Sequence, residues 1–169
     1  NDNNFKVKEV VAYQEIKMKV KEIMIKDVIS IKPDDNAKEA LDLLFKMEIS
    51  GLPVINEQGK LVGMFTEKDV LKQILPSYLE KVGRFVYEEN PKSIKNKFQD
   101  LGNLSVSQLM RREVITIDEE ASLCEAARII LTQKIRRIPV LDKEKKVVGI
   151  VAREDIVKSY AKEAGWRID

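Results

Sequence analysis

The chain contains one pattern twice, and this internal repeat limits its fold more than any other feature. Leu-Pro-Val-Ile at 52–55, followed by Leu-Val-Gly-Met-Phe-Thr-Glu-Lys-Asp at 61–69, returns as Ile-Pro-Val-Leu at 138–141 and Val-Val-Gly-Ile-Val-Ala-Arg-Glu-Asp at 147–155. Equivalent positions are always 86 residues apart, and the match needs no gap. A constant internal offset indicates a duplicated structural unit. The chain is therefore a tandem duplication of a unit of about fifty residues.

The sequence pattern of each copy predicts the element order β-α-β-β-α. A β-branched run opens the copy as a buried strand, and a helix follows with a capping box formed by Asn36 and Glu39. Two strands joined by a turn that ends at Gly59 come next, and a closing helix ends before Pro76. The predicted elements of the first copy are 28–31, 37–47, 54–55, 61–65 and 67–75. The second copy repeats them, with Ser122 as the N-cap, so the predicted fold class is α/β (α+β).

The first helix of each copy carries apolar residues at helical spacing. They are Ala37, Ala40, Leu41, Leu44, Phe45 and Met47 in the first copy, and Ala126, Ala127, Ile129, Ile130 and Leu131 in the second. A unit of this size cannot bury both faces of its sheet alone. The two motifs are therefore predicted to pack as a pair around a pseudo-two-fold axis. Such packing leaves two equivalent clefts, which are natural places for a ligand.

The predicted organisation has five segments. They are an N-terminal extension or expression remnant (1–19), the first motif (20–75), a helical connector (76–105), the second motif (106–160) and a C-terminal tail (161–169). The apolar pattern before Val20 fits either a short strand or a helix. The connector is too apolar for a flexible tether, so two short helices, interrupted at Pro91 and closed by Gly102, are expected to pack onto the core or a partner.

Composition restricts the function. The net charge is +2, from 30 basic and 28 acidic residues, which does not predict a nucleic acid or an anionic membrane as partner. No apolar run approaches the roughly 18–20 residues that span a bilayer, and no leader pattern opens the chain. The absence of histidine removes Ser-His-Asp and Cys-His catalysis and imidazole metal ligands. The single cysteine, Cys124, fits a reducing compartment, so we expect a cytoplasmic protein. Because the chain lacks histidine, we also expect that it is not an enzyme and holds no metal.

The repeated residues resemble the cystathionine-β-synthase (CBS) domain. The resemblance rests on Leu-Pro-Val-Ile, the polar turn and Val-Gly-Met-Phe-Thr-Glu-Lys-Asp at 62–69 leading into a helix, and two copies resemble a CBS pair, or Bateman module. It implies that adenosine-containing ligands (AMP, ADP, ATP or S-adenosylmethionine) bind in the clefts as regulatory ligands, with no required cofactor. Binding would change the tilt of the two motifs and so act on a partner or fused domain. By resemblance alone we also expect a homodimer.

The resemblance assigns the family's Thr-x-x-Asp element to Thr66 and Asp69. The carboxylate would accept hydrogen bonds from ribose hydroxyls, and the threonine would reach phosphate beside a helix N-terminus. The same spacing is also a capping box that needs no ligand. In the second copy Ala152 replaces the threonine while Asp155 remains. Binding there is an open question, with Arg153 as a substitute cation.

The resemblance also places the adenine and the phosphate partners. Residues expected around the adenine are Lys32, Ala37, Ile49, Ser50 and Gly51, with Asp118 and Leu123 as the second-copy turn residues. Arg136 and Arg137 are expected to face the phosphates of a ligand held by Asp69, because a guanidinium fork donates two hydrogen bonds to one phosphate. A solvated arginine pair is the alternative interpretation. Arg111 and Arg112 are interpreted as surface residues.

A second function remains open from the sequence. The duplication and the apolar connector also fit a ligand-free module for dimerisation or protein interaction. The loss of the threonine at Ala152, and a capping box that explains Thr66 and Asp69 without a ligand, favour this alternative.

Overall fold

The computed structural model describes residues 17–75 and 91–168. Its helices are α1 (Val20–Ile23), α2 (Ala37–Met47), α3 (Glu67–Ile74), α4 (Pro91–Asp100), α5 (Val106–Leu109), α6 (Leu123–Gln133) and α7 (Arg153–Glu163), with a 3₁₀ helix at Leu101–Asn103. Its strands are β1 (Gly51–Ile55), β2 (Leu61–Thr66), β3 (Ile117–Asp118), β4 (Arg137–Leu141) and β5 (Val147–Ala152). The mixed α/β class and the two repeats are confirmed. The predicted first half of the connector, 76–90, lies outside the described residues.

The opening strand of each copy is much shorter than predicted. Only Ile31 of the stretch 28–31 pairs with β1, donating to Pro53 O (3.1 Å) and accepting from the N–H of Ile55 (2.9 Å). Its duplicate β3 has two residues and runs parallel to β4. The physical reason is that Ile25 is already paired with the other copy. The intervening residues must cross from one copy to the other and cannot join either sheet.

Each copy closes its sheet with an antiparallel hairpin, β1–β2 and β4–β5. The side chain of Asn56 accepts two backbone N–H bonds within the first turn. The positive φ predicted at Gly59 is confirmed at 76°, and Lys145 takes the same conformation in the second turn with φ 64°. Lys60 and Lys146, which are equivalent positions, pair with each other. The two turns therefore meet where the pseudo-two-fold axis passes between the copies.

Each copy has its own apolar core, and one stripe of the first helix enters it. Ala37, Ala40, Leu41 and Leu44 are buried at the spacing of one helix face. The prediction that Phe45 and Met47 belong to this face was wrong, since they are 60% and 41% exposed, and Leu131 in the second copy is 73% exposed. Phe45 and Leu131 are equivalent positions, displaced by about one hundred degrees around their helices from the buried stripe.

The segment that precedes each copy packs on the other copy. Helix α1 places Val20 in the second core, where it has no exposed surface, and α5 places Val106 in the first core in the same way. Backbone bonds fix both positions: Val20 N–H donates to Ala121 O (2.9 Å), and Ala37 N–H donates to Leu104 O (2.9 Å). The two halves thus exchange their leading helices. This arrangement supports the predicted packing of the copies as a pair.

Only half of each capping box predicted at the first helix of a copy is formed. Asn36 Oδ1 accepts from the N–H groups of Lys38 (3.0 Å) and Glu39 (3.3 Å), and Ser122 Oγ accepts from that of Glu125 (3.1 Å). In a full capping box the carboxylates of Glu39 and Glu125 would also accept from the backbone N–H groups of Asn36 and Ser122. These two bonds do not form among the described residues. The chain of the other copy bonds to the residues that follow the two caps, since Ala37 N–H donates to Leu104 O and Leu123 N–H donates to Met18 O (both 2.9 Å). The N-cap predictions are therefore confirmed, and the full boxes are wrong.

The described half of the connector packs onto the first copy, as expected. Leu101 in the 3₁₀ helix is completely buried in the first core. Lys97 in α4 donates to Ile74 O (2.9 Å) and so pairs a carbonyl at the end of α3. At the other end of the chain, α7 continues to Glu163, beyond the predicted end of the second motif, and Gly165 ends it with φ 83°.

Two glycines permit the close approach between the exchanged segments and the sheets. A Cβ on Gly63 would lie 2.6 Å from Met110 Sδ and 2.9 Å from Arg111 O. A Cβ on the equivalent Gly149 would lie 2.4 Å from Met24 Sδ. Real Cβ atoms do not approach so closely. The glycine of the repeated Val-Gly pair is therefore required because a neighbouring chain crosses directly over it.

We expect Gly63→Ala to destabilise the protein. The added methyl meets a backbone carbonyl that cannot rotate away, and overpacking of this kind costs about 1–3 kcal/mol. Urea unfolding of this variant and of Gly102→Ala measures the effect, because a Cβ at Gly102 meets nothing within 4 Å. Equal stabilities of the two variants would contradict the prediction.

The loop before α6 is tied to the chain around α1 by ion pairs. Lys19 and Lys21 both donate to the carboxylate of Glu120. These two hydrogen bonds lower the pKa of Glu120 to about 2. The carboxylate joins the exchanged α1 segment to the second copy at the surface, where such pairs are weak and screened by salt.

The stability contribution of Glu120 should depend on pH in a defined direction. Because the pKa is lower in the folded state, the contribution is complete above the unfolded value of about 4.5 and is lost as the pH falls towards 2. Melting curves from pH 7 to pH 2 should show Glu120→Gln less stable than wild type at pH 7, with the difference vanishing near pH 2. Glu57→Gln, in an exposed turn, is the control. A difference that persists at pH 2 would contradict the assignment.

Candidate functional site between the two copies

A cavity of about 300 Å³ lies between the copies at the start of α3. We call it the Thr66 cleft. The first copy contributes the start of β1, the end of β2 and the first turn of α3, and the second copy contributes the chain before β3 and the chain between α6 and β4. Its lining residues are Ser50, Gly51, Met64, Thr66, Glu67, Lys68, Arg111, Lys134, Ile135, Arg136 and Arg137.

The Thr66 side of the cleft is a closed capping box. The Asp69 Oδ2 atom accepts from the N–H of Thr66 (2.9 Å) and from its hydroxyl (2.6 Å), and Thr66 Oγ1 accepts from the N–H of Asp69 (3.3 Å). The extended backbone of Thr66 and the helical turn after it bring these atoms together. The predicted box is thus confirmed. The Oδ1 atom of Asp69 accepts no hydrogen bond from the described residues.

A second cavity, of about 220 Å³, lies at the equivalent place by the start of α7. We call it the Arg153 cleft. Its lining residues are Glu48, Ser50, Arg136, Arg137, Ala152, Arg153 and Glu154. Asp155 Oδ2 accepts from the N–H of Ala152 (2.9 Å), but alanine has no oxygen to complete the box. Ser50, Arg136 and Arg137 line both clefts and so form a common wall.

The structure brings only part of the predicted site together. Six predicted residues line a cleft: Ser50, Gly51, Thr66, Arg136, Arg137 and Arg153. Asp69 and Asp155 are bonded to the backbone N–H of cleft residues without lining the cavities. Ile49, Lys32 and Asp118 line neither cleft, although Ile135, the duplicate of Ile49, does.

Ala37 and Leu123 cannot contact a ligand in this structure. Both are the first residues of their helices, and neither has any exposed surface. They lie in the two apolar cores, on the buried face of each helix. Their expected place around an adenine ring is therefore corrected.

Several lining residues were missed by sequence reasoning. Arg111, interpreted as a surface residue, forms two backbone hydrogen bonds with Met64 (both 2.9 Å) and so enters the Thr66 cleft. The sequence shows only that Arg111 replaces Ile25 at the equivalent position, because the crossing over Gly63 is visible only in the structure. Lys134 follows α6 with φ 53°, and Glu48 follows α2 with φ 52°. Their opposite charges at one repeated position were visible in the alignment of the copies.

No helix in 17–75 or 91–168 is long and apolar enough to cross a membrane. Within the same ranges, no three His, Cys, Asp or Glu side chains are grouped in a way that could hold a metal ion.

The CBS domain family model matches residues 20–76 and 106–162 of the chain, one match for each copy. The chain belongs to the CBS domain family. The tandem pair inferred from the repeat is thereby confirmed.

Curated relatives differ in how much of their length the chain spans. It is 30% identical over 155 residues to inosine-5'-monophosphate dehydrogenase of Methanocaldococcus jannaschii, covering 92% of this chain but only 26% of that enzyme. It is 31% identical over 157 residues to uncharacterized protein MJ1426 of the same organism, covering 84% of this chain and 90% of that protein. The chain thus spans about a quarter of the dehydrogenase.

Solved structures of CBS pairs have the same fold. CBSX2, a protein of Arabidopsis thaliana solved in complex with AMP, has a TM-score of 0.66 and 26% identity, with 86% of this chain and 98% of that chain covered. The CBS domain pair of protein MJ0100, solved with 5'-methylthioadenosine and S-adenosyl-L-methionine, has a TM-score of 0.64 and 29% identity, with the same coverage of 86% and 98%.

The capping role of Thr66 predicts a stability change that needs no ligand. Thr66→Ala removes both the acceptor for the Asp69 N–H and the hydroxyl that donates to the carboxylate. Loss of an N-cap side chain costs about 0.5–2 kcal/mol. Urea unfolding without nucleotide should give this loss for Thr66→Ala and a smaller one for Thr66→Ser, which keeps the hydroxyl. Equal stability of wild type and both variants would contradict the capping role.

Proposed function

We propose that this CBS pair is a regulatory module that binds an adenosine-containing ligand in the Thr66 cleft. The observation that carries the proposal is the composition of this cleft. One copy supplies the N-terminus of α3 with Thr66, and the other supplies Arg136 and Arg137. A helix N-terminus and two guanidinium groups around one cavity suit a phosphate group.

The remaining parts of an adenosine ligand also have suitable partners. Asp69 does not line the cavity itself, but it is bonded to the lining residue Thr66 and its Oδ1 atom accepts no bond from the described residues, so we infer that this oxygen accepts from the ribose hydroxyls. Met64 and Ile135 give the cavity apolar surface for the ring, and Gly51 and Ser50 let a flat group approach the backbone. The bound AMP of CBSX2 and the bound S-adenosyl-L-methionine of MJ0100 support this ligand class. In the Arg153 cleft, Arg153 and Asp155 are the corresponding groups, without the threonine.

The exchanged leading segments connect the ligand to the rest of the molecule. Arg111 lies in the cleft wall and is also bonded to Met64 across the copies. A ligand that contacts both copies favours the relative orientation in which those contacts are best, and this preference is all that it can transmit. The proposed output is a change of tilt felt by a partner or fused domain. In this proposal the module itself performs no catalysis and acts in the cytoplasm.

A homodimer is part of the proposal because apolar residues are exposed at repeated positions. Leu71 and Val157, an equivalent pair on α3 and α7, are 51% and 62% exposed, and Phe45 and Leu131 are a second such pair. Apolar side chains that are exposed at the same positions of both copies would be removed from water at a dimer interface. The same observation favours the second candidate, a ligand-free interaction module.

Ligand binding is tested by melting curves with AMP, ADP, ATP, S-adenosylmethionine and GTP at 1 mM. A ligand that binds only the folded protein stabilises it by about 2.7 kcal/mol at one hundred times its Kd, so micromolar affinity gives a clear rise in Tm. We expect a rise with adenosine ligands and its loss in Asp69→Ala. For each protein, the Tm with ligand is compared with the Tm of the same protein without ligand. The stability lost with the N-cap of α3 therefore cancels from the comparison.

Asp100→Ala, an exposed carboxylate outside the clefts, is the control and should keep the full rise. A flat response of wild type to every compound would refute the binding proposal and favour the ligand-free module. An undiminished rise in Asp69→Ala would move the site away from the Thr66 cleft.

A further inference from the structure

The two clefts occupy equivalent places but differ in charge at equivalent residues. Position 134 is a lysine in the Thr66 cleft, and its duplicate in the Arg153 cleft is Glu48. Lys68 in the first turn of α3 corresponds to Glu154 in α7, and Arg111 corresponds to Ile25. Only one lining pair has the opposite sense, Glu67 against Arg153. Taken together, these differences make the Thr66 cleft more positively charged than the Arg153 cleft.

Of the described residues, five cations and one carboxylate line the Thr66 cleft. Three cations and two carboxylates line the Arg153 cleft, and two of those cations, Arg136 and Arg137, are shared. Lys158 pairs with Glu154 at 2.6 Å and reduces its effect. None of the five cations of the Thr66 cleft lies in an ion pair with a carboxylate of the described residues.

Unpaired cations facing a small cavity repel one another and attract an anion. A single phosphate can accept hydrogen bonds from two or three of them, and a longer phosphate chain can reach more of the set. Lys68 belongs to the first copy and Lys134 to the second. Lys134 precedes Arg136 and Arg137 in the chain, and it lines the Thr66 cleft but not the Arg153 cleft. The cleft is therefore lined by more cations than a single phosphate needs.

We propose that the Thr66 cleft selects its adenosine ligand by the number of phosphates, preferring a triphosphate to a monophosphate or an uncharged adenosine compound. The Arg153 cleft lacks this preference. The proposal rests on the proposed function, since it concerns the ligand of the same site. It excludes S-adenosylmethionine as the preferred ligand of the Thr66 cleft, because its sulfonium and ammonium groups would face the same cations.

Calorimetric titration tests the proposal with AMP, ADP, ATP, S-adenosylmethionine and inorganic tripolyphosphate, in EDTA so that no magnesium neutralises the phosphates. We expect the affinity to rise on the order of tenfold for each added phosphate, the effect of one additional charged hydrogen bond. The difference between ATP and AMP should shrink at 0.3 M NaCl. Tripolyphosphate should bind more weakly than ATP if the adenosine part is recognised as well.

Lys134→Glu is the informative variant. It places the residue found at the equivalent position, Glu48, on the same left-handed backbone, so the fold tolerates the exchange. The ratio of ATP to AMP affinity should fall at least tenfold, and Lys134→Gln should fall between this variant and wild type. The matched control is Lys143→Glu, the same charge change at an exposed turn residue outside both clefts, which should change the ratio by less than about twofold.

Each result has a defined meaning. Equal affinities for AMP, ADP and ATP would overturn selection by phosphate number while leaving the adenosine-binding function intact. Equal effects of Lys134→Glu and Lys143→Glu would overturn the role of the cleft cations. Binding of tripolyphosphate as tightly as ATP would assign the cleft to phosphate chains in general and overturn the adenosine part. No binding of any compound would refute both the proposed function and this inference.

Discussion

The close contact between each sheet and the chain that crosses from the other copy supports the rest of the structure. Met110 and Met24 lie over Gly63 and Gly149 without room for a Cβ, and the bridges Met64–Arg111 and Ile25–Ile150 continue each sheet into the opposite copy. These contacts fix the relative position of the halves. The cleft geometry follows from them, since Arg111 and the chain from Lys134 to Arg137 face α3 only while this packing holds.

Much of the fold could be predicted from the sequence because it depends on local patterns. Residue types at fixed spacing predict the hairpin turns, the closing helix and the N-caps at Asn36 and Ser122. Because the pattern is repeated, each of these assignments could be made in both copies. The short opening strand at Ile31 could not be predicted in the same way. Its β-branched neighbours have strand propensity, but the crossing of the chain between copies overrides this local preference. The exposed Phe45 likewise shows that an apolar residue at helical spacing is not always buried in the core.

The candidate site was only partly predictable for a related reason. Thr66, Arg136 and Arg137 belong to a motif or its duplicate, so the alignment of the two copies identified them. Arg111, Lys134 and Lys68 enter the cleft through contacts between residues far apart in sequence, or from the solvent side of a helix start, and no local pattern distinguishes them from ordinary surface charges. Ala37 shows the opposite error, since the family resemblance placed it beside an adenine ring although its side chain is completely buried in the first core.

The reciprocal pairing of equivalent residues has a consequence for the history of the chain. Lys60 pairs with its own duplicate Lys146, and each of the other backbone bridges that cross between the copies among the described residues has a counterpart at the equivalent positions. Two separate molecules of a single unduplicated unit would therefore associate through the same surfaces as a symmetric assembly. Covalent linkage would change only the effective concentration of one half for the other. Once linked, the halves were free to diverge, and the opposite charges of Glu48 and Lys134 are a divergence that identical subunits could not have acquired.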